Sequence, residues 1–189
     1  MLDKPVLRGR LVTLRPLNVE DASAIFASME DAETMRLTGT QQQFALPQIE
    51  AFCRAVVDAD DRADYAITLG DDPAYIGEAV LNDIDWTNRT ASFRIALAGQ
   101  RYFGHGYGSE ATRLMLDYGF RHLNLHRIEL EVYDFNPRAQ RVYEKAGFVR
   151  EGVRRDVLLW DGVYHSAIVM SVLAPAYWER EKVRGTSDT

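Results

Sequence analysis

Cysteine is nearly missing from this chain: Cys53 is the sole thiol in 189 residues. No internal disulfide can form, and no thiolate metal cluster can be built. Missing too is any apolar run near the ~20 residues of a membrane span, and the opening MLDKPVLRGR is no signal peptide. The chain therefore reads as cytosolic, with no membrane partner. Positive charge is in deficit: 22 Lys and Arg against 28 Asp and Glu leave a formal net charge of −6, which argues against nucleic acid as the main partner. Among the four histidines, His122 and His126 stand four apart. Asn124 is expected to end the helix between them and no carboxylate completes a set, so no metal is expected. The serine-hydrolase elbow G-x-S-x-G is absent, and Cys53, mid-helix, reads as a small core residue rather than a nucleophile. Repeats, low-complexity segments and linkers are lacking as well. The expectation is one domain over 1–189, with residues 185–189 a frayed tail.

What is present alternates between strand and helix signals. RLVTLRPL has the period of a strand, and Asn18 with Asp21 three residues on marks a helix start over VEDASAIFASME. Pro47 opens a second helix, QIEAFCRAVVDAD. DYAITLG, AYIGEAVLNDI and ASFRIAL, separated by turns, read as an antiparallel meander. A helix follows in which Glu110, Arg113, Asp117 and Arg121 form a charged stripe opposite Ala111, Leu114, Met115 and Tyr118. RIELEVY is a strand. NPRAQRVYEKAGF is a helix with Asn136 as N-cap, Pro137 first and Gly147 just past the end. A hairpin and a terminal helix complete the chain. Only the crossover from ASFRIAL to RIELEVY has parallel character, which predicts a mixed α/β sheet, mainly antiparallel, with one central parallel pair.

RYFGHGYGSEA, residues 101–111, places Gly104, Gly106 and Gly108 at the mouth of a helix. Each glycine weakens a helix by about 1 kcal/mol relative to alanine. A helix N-terminus offers unpaired N–H groups and partial positive charge, and glycines remove Cβ atoms from its approach, so a phosphate cradle is one reading. A tight connection without ligand is the other. The dinucleotide fingerprint G-x-G-x-x-G and the triphosphate loop G-x-x-x-x-G-K-[ST] are both absent.

Two motifs together carry a resemblance. Arg101 to Gly106 matches R-x-x-G-x-G, and Asn136, Ala139 and the run Tyr143 to Phe148 match Asn-x-x-Ala followed by Tyr-Glu-Lys-x-Gly-Phe. The chain resembles the GNAT superfamily of acyl-CoA N-acyltransferases over roughly residues 6–173, most closely its RimJ/RimL-like branch. The resemblance implies a GNAT-type sheet whose central parallel strands splay apart, with helices on both faces. It implies acetyl-CoA as acyl donor, with its pyrophosphate cradled by Arg101, Phe103, Gly104, His105, Gly106, Tyr107, Gly108 and Ser109. Its pantetheine would lie along Ala96 and Leu97 and near Asn136, with Arg138 reaching the ribose or 3′-phosphate. The acceptor it implies is a primary amine, either a protein N-terminus or a small molecule, and a homodimer is compatible with it.

The implied reaction is attack of an amine on a thioester. A primary amine of pKa near 10.4 is mostly protonated at neutral pH, which withholds roughly 4–5 kcal/mol of reactive form, so a proton acceptor is needed. The leaving thiolate gains from a proton donor. Tyr143, on the apolar side of its helix with Ala139, Val142 and Ala146, is the expected donor. Glu131, on the face of RIELEVY shared with Glu129 and Tyr133, is the expected acceptor, with Glu78 or a water chain as alternatives. Trp86 and Trp160, in or beside turns, read as packing residues rather than pocket walls. An acyl-CoA-binding sensor that keeps the fold without turnover is the alternative function.

Overall fold

The computed structural model describes residues 2–187. Strands β1 (Leu7–Arg8) and β2 (Val12–Pro16) lead into Asn18, whose side chain accepts from Glu20 N while Asp21 accepts from Asn18 N. This reciprocal cap starts a short 3₁₀ turn that passes into α1 (Ala22–Ser28). Next comes α2 (Ala32–Thr38), a helix absent from the sequence reading although its ends are marked: Asp31 accepts from Thr34 N, and Gly39 is left-handed. Helix α3 (Leu46–Val57) begins one residue before Pro47.

The meander follows as β3 (Ala63–Leu69), β4 (Asp72–Asp85) and β5 (Thr90–Leu97). Helix α4 (Tyr107–Asp117) leads to β6 (Arg127–Tyr133), then α5 (Pro137–Ala146), β7 (Val149–Trp160), β8 (Val163–Leu173) and α6 (Ala174–Ser187). The sheet order is β1-β2-β3-β4-β5-β6-β8-β7, antiparallel throughout except for β5 and β6. The expected mixed α/β sheet with one central parallel pair is what forms. Among the described residues, no helix is long and apolar enough to cross a membrane.

Alternation along the strands sorts the side chains into two layers. Tyr65, Leu81, Phe93, Ile128 and Leu130 pack with Met115, Tyr143 and Tyr177 into the larger core, under α4, α5 and α6. Ala66 faces the other way and packs with Leu17, Ile25, Ile49 and Cys53 under α1 and α3. Burial pushes the Cys53 thiol up to about 11, as suits a core residue.

Two sequence expectations need correction. Glu110 does not stand on an exposed charged stripe. Its carboxylate is buried and accepts from the backbone N–H groups of Arg10, Leu11 and Val12 at 3.0, 2.6 and 2.9 Å, which ties α4 to the start of β2. A helical wheel cannot see a partner a hundred residues away. The helix ends at left-handed Asn124, as expected, but Tyr118–His122 form a π turn rather than continuing the α-helix. At the C-terminus, α6 extends to Ser187, and residues 188 and 189 of the expected tail lie outside the described residues.

Burial pushes the Glu110 carboxyl up, but the three N–H donors and Arg113 outweigh it and leave it below the ordinary 4.5. A lowered carboxyl contributes stability above its unfolded pKa and loses it as pH falls through the folded value. Glu110→Gln is therefore expected to cost about 1–3 kcal/mol at neutral pH. In urea melts, the gap between wild type and variant should close on acidification below 4.5.

Candidate functional site

β5 and β6 pair at only three positions, Thr90↔Arg127, Ala91↔Ile128 and Ser92↔Glu129. Beyond them each strand follows its other neighbour: β5 stays with β4 up to Leu97↔Gly77, and β6 stays with β8 up to Tyr133↔Ala167. The strands part, and backbone groups of Phe93–Leu97 and Leu130–Tyr133 that point toward one another have no ladder partner. This seam opens into a cleft of about 710 Å³. Its polar edges suit a ligand that carries amides of its own.

At the top of the seam, β5 gives way to a 3₁₀ turn over Gln100–Tyr102 and then to α4. Gly104 and Gly106 hold φ of +81° and +85°, where a side chain is strained, whereas Gly108 is ordinary helix. No side chain caps α4. Its first N–H groups are thus left for an anion at the cleft's rim. Arg138 lies 4.0 Å above the Phe103 ring and brings a guanidinium to the same rim from α5.

Of the residues expected at the site, Ala96, Leu97, Phe103, Gly104, Gly106, Tyr107, Gly108, Ser109, Glu131, Asn136, Arg138 and Tyr143 all line the cleft. Arg101 and His105 do not. Arg101 is exposed and stacks on Tyr102 at 4.8 Å, and His105 stacks on Tyr107. Asn136 accepts from Ala139 N as the N-cap of α5. Trp86 is exposed, donates to Asp60 O, and stays outside the cleft.

The cleft has two unlike sides. On the α5 side, Tyr143 is 8 % exposed, its ring against Phe93 and Phe148. Burial alone drives its phenol well above the usual tyrosine range. On the opposite face, the register puts Glu78 beside Ala96, Asn82 beside Ser92, and Ser92 beside Glu129. Glu131 and Tyr133 share that face by alternation. Four carboxylates, Glu78, Asp83, Glu129 and Glu131, line this side with Arg94 among them. Burial raises the Glu78 carboxyl, and Arg94, 3.6 Å away, only partly offsets it. Glu131 is half exposed and its Oε1 is taken by Arg154 at 2.5 Å. The wall above them comes from Ser28, Met29, Thr34, Met35 and Thr38 of α1 and α2, and Thr34 Oγ1 donates to Leu97 O at 3.4 Å.

Those helix residues, with Tyr75, Asn82, Asp83, Ser92 and Glu129, were missed by sequence reasoning. The Asp31 and Gly39 caps could have revealed α2, but only the register shows which side chains of β4 and β6 face the cleft. Among the described residues, no three or more His, Cys, Asp or Glu side chains are grouped to hold a metal ion.

A family model described as an acetyltransferase (GNAT) domain matches residues 11–149. The chain is 29% identical over 175 residues to spermidine N(1)-acetyltransferase of Escherichia coli, covering 92% of each protein. It is 28% identical over 182 residues to the probable N-acetyltransferase YjcK of Bacillus subtilis, covering 90% of this chain and 98% of that protein. The fold superposes with a TM-score of 0.83 on spermidine N-acetyltransferase from Vibrio cholerae in complex with CoA and spermine, at 26% identity, covering 90% of this chain and 99% of that one.

A valine at position 106 would force a β-branched residue to φ +85° at the helix mouth. Gly106→Val is expected to abolish calorimetrically detectable CoA binding, with the far-ultraviolet dichroism of the sheet retained.

Proposed function

The chain belongs to the GNAT acetyltransferase family and is an acetyl-CoA-dependent N-acetyltransferase; from that premise we propose that its acceptor is a small diamine or polyamine. The observation that supports this most is the charge of the cleft wall opposite Tyr143, where Glu78, Asp83, Glu129 and Glu131 line the cleft and outnumber the arginines paired with them, Arg94, Arg127 and Arg154. Such a wall favours a substrate with more than one ammonium group. The relatives named for spermidine point the same way. A protein N-terminus, the acceptor expected of a RimJ/RimL-like enzyme, brings one ammonium and leaves most of that wall unmatched.

In this reading the pyrophosphate of CoA rests on the N–H groups at the mouth of α4, beside Arg138. The pantetheine amides take up the unpaired backbone of β5 and β6. The thioester then sits in the seam, open to the amine from the carboxylate side and to Tyr143 from the α5 side. The amine nitrogen forms the new bond to the carbonyl carbon, and the carbon–sulfur bond breaks. Tyr143 passes its hydroxyl proton to the departing sulfur, and its buried, aromatic surroundings keep that proton in place until then. The proton lost by the amine goes to a carboxylate. We assign that role to Glu78 rather than Glu131, because burial raises the Glu78 carboxyl, while Arg154 occupies an oxygen of Glu131. Glu131 then serves to hold the incoming ammonium.

The acceptor is tested by thiol release from acetyl-CoA with a panel of amines. Diamines and polyamines are expected to outrun monoamines and N-terminal peptides in kcat/KM, and faster turnover of the peptides would overturn the assignment. Tyr143→Phe is expected to lower kcat by about 10²-fold or more with CoA affinity retained, measured by steady-state kinetics and calorimetry.

A further inference from the structure

β4 leaves its regular register with β5 at one place, between Asn82↔Ser92 and Asp85↔Thr90, where it carries one residue more than its partner. Bulges of this kind turn a side chain out of the ladder's alternation. Here Asp83 is left-handed at φ +52°, and the Asn82 amide nitrogen donates to the Asp83 carboxylate. A carboxylate only accepts, so the amide nitrogen must face it and Oδ1 must point away. That oxygen is buried and has no donor among the described residues. An orphaned buried acceptor costs about 1–3 kcal/mol. Asn82 lines the cleft, and the register sets Ser92 and then Glu129 beside it, a row across three strands at the root of the seam. Arg127 clamps one oxygen of Glu129 from below, at 2.8 and 3.1 Å.

We propose that Asn82 Oδ1, on the wall that also carries Asp83 and, beyond Ser92, Glu129, receives the non-reacting ammonium of a diamine or polyamine acceptor; this rests on the acceptor class proposed above. An ammonium has three N–H donors and matches an orphaned oxygen on a wall that also carries carboxylates. The row also closes the bottom of the cleft, because β5 and β6 rejoin there. It lies two residues below Arg94, and two strand residues span about 6.8 Å, comparable to the extended length of a four-carbon diamine. A neutral alkyl tail would leave Oδ1 unpaired. Asn82 thus determines specificity and takes no part in bond making.

The test compares putrescine with butylamine, which differ only in the distal nitrogen, in thiol release at saturating acetyl-CoA. Wild type should prefer putrescine in kcat/KM. Asn82→Leu should cut that preference about ten- to a hundredfold, chiefly through the KM of putrescine. Asp83→Asn, at an exposed site where asparagine tolerates the left-handed backbone, should reduce it in the same direction and guards against a folding defect in the first variant. A wild-type preference that both variants leave intact removes Asn82 and Asp83 from recognition while the diamine reading stands. Absence of any wild-type preference overturns the diamine reading and this inference together.

Discussion

Three residue pairs hold β5 to β6, and then the two strands let go of each other. The rest of the site depends on that parting. A buried backbone N–H or carbonyl without a partner costs roughly 1–3 kcal/mol, so an open seam in the middle of a sheet is unfavourable unless water or a ligand fills it. The chain sustains it because each strand is fully engaged elsewhere, β5 with β4 and β6 with β8. Phe93, Tyr143 and Phe148 pack against one another on the α5 side of the gap. A ligand with a peptide-like arm completes the hydrogen bonding that the strands leave open.

The seam also separates two kinds of chemistry by the simplest device a strand has, its alternation. Leu130 and Val132 turn toward the aromatic, water-poor side where Tyr143 lies; Glu129 and Glu131 turn toward the charged side under α1 and α2. In the proposed mechanism, an acyl group held between them meets an amine from one face and a proton donor from the other. Helix α4 aims its N-terminus at the same seam, and Glu110 anchors that helix to the β1–β2 turn through three backbone bonds. The anion cradle is thereby fixed to the far end of the sheet rather than to its own loop.

Much of this was legible in the sequence. Asn136, Pro137 and Gly147 marked both ends of α5, and the length of the crossover from ASFRIAL to RIELEVY marked the parallel pair. The cradle glycines were legible as glycines, although only Gly104 and Gly106 need their backbone freedom. Most of what escaped was set by residues distant in the chain. Glu110 looked like a surface charge because its partners lie a hundred positions upstream. AYIGEAVLNDI reads as a strand and Glu78 as an alternative base, but nothing singles out Asn82 until register places both on the cleft face. The cap signals of α2 were present at Asp31 and Gly39, but seven helical residues are too few for periodicity to show.

The central claim is that the open edges of β5 and β6 are where the pantetheine arm of acetyl-CoA lies. Amide hydrogen exchange tests it directly. With acetyl-CoA added, the amides of Phe93–Leu97 that face away from β4, and those of Tyr107–Ser109, should slow markedly, while those of Thr90–Ser92 stay as they were. Unchanged exchange along Phe93–Leu97 at saturating acetyl-CoA would contradict the account.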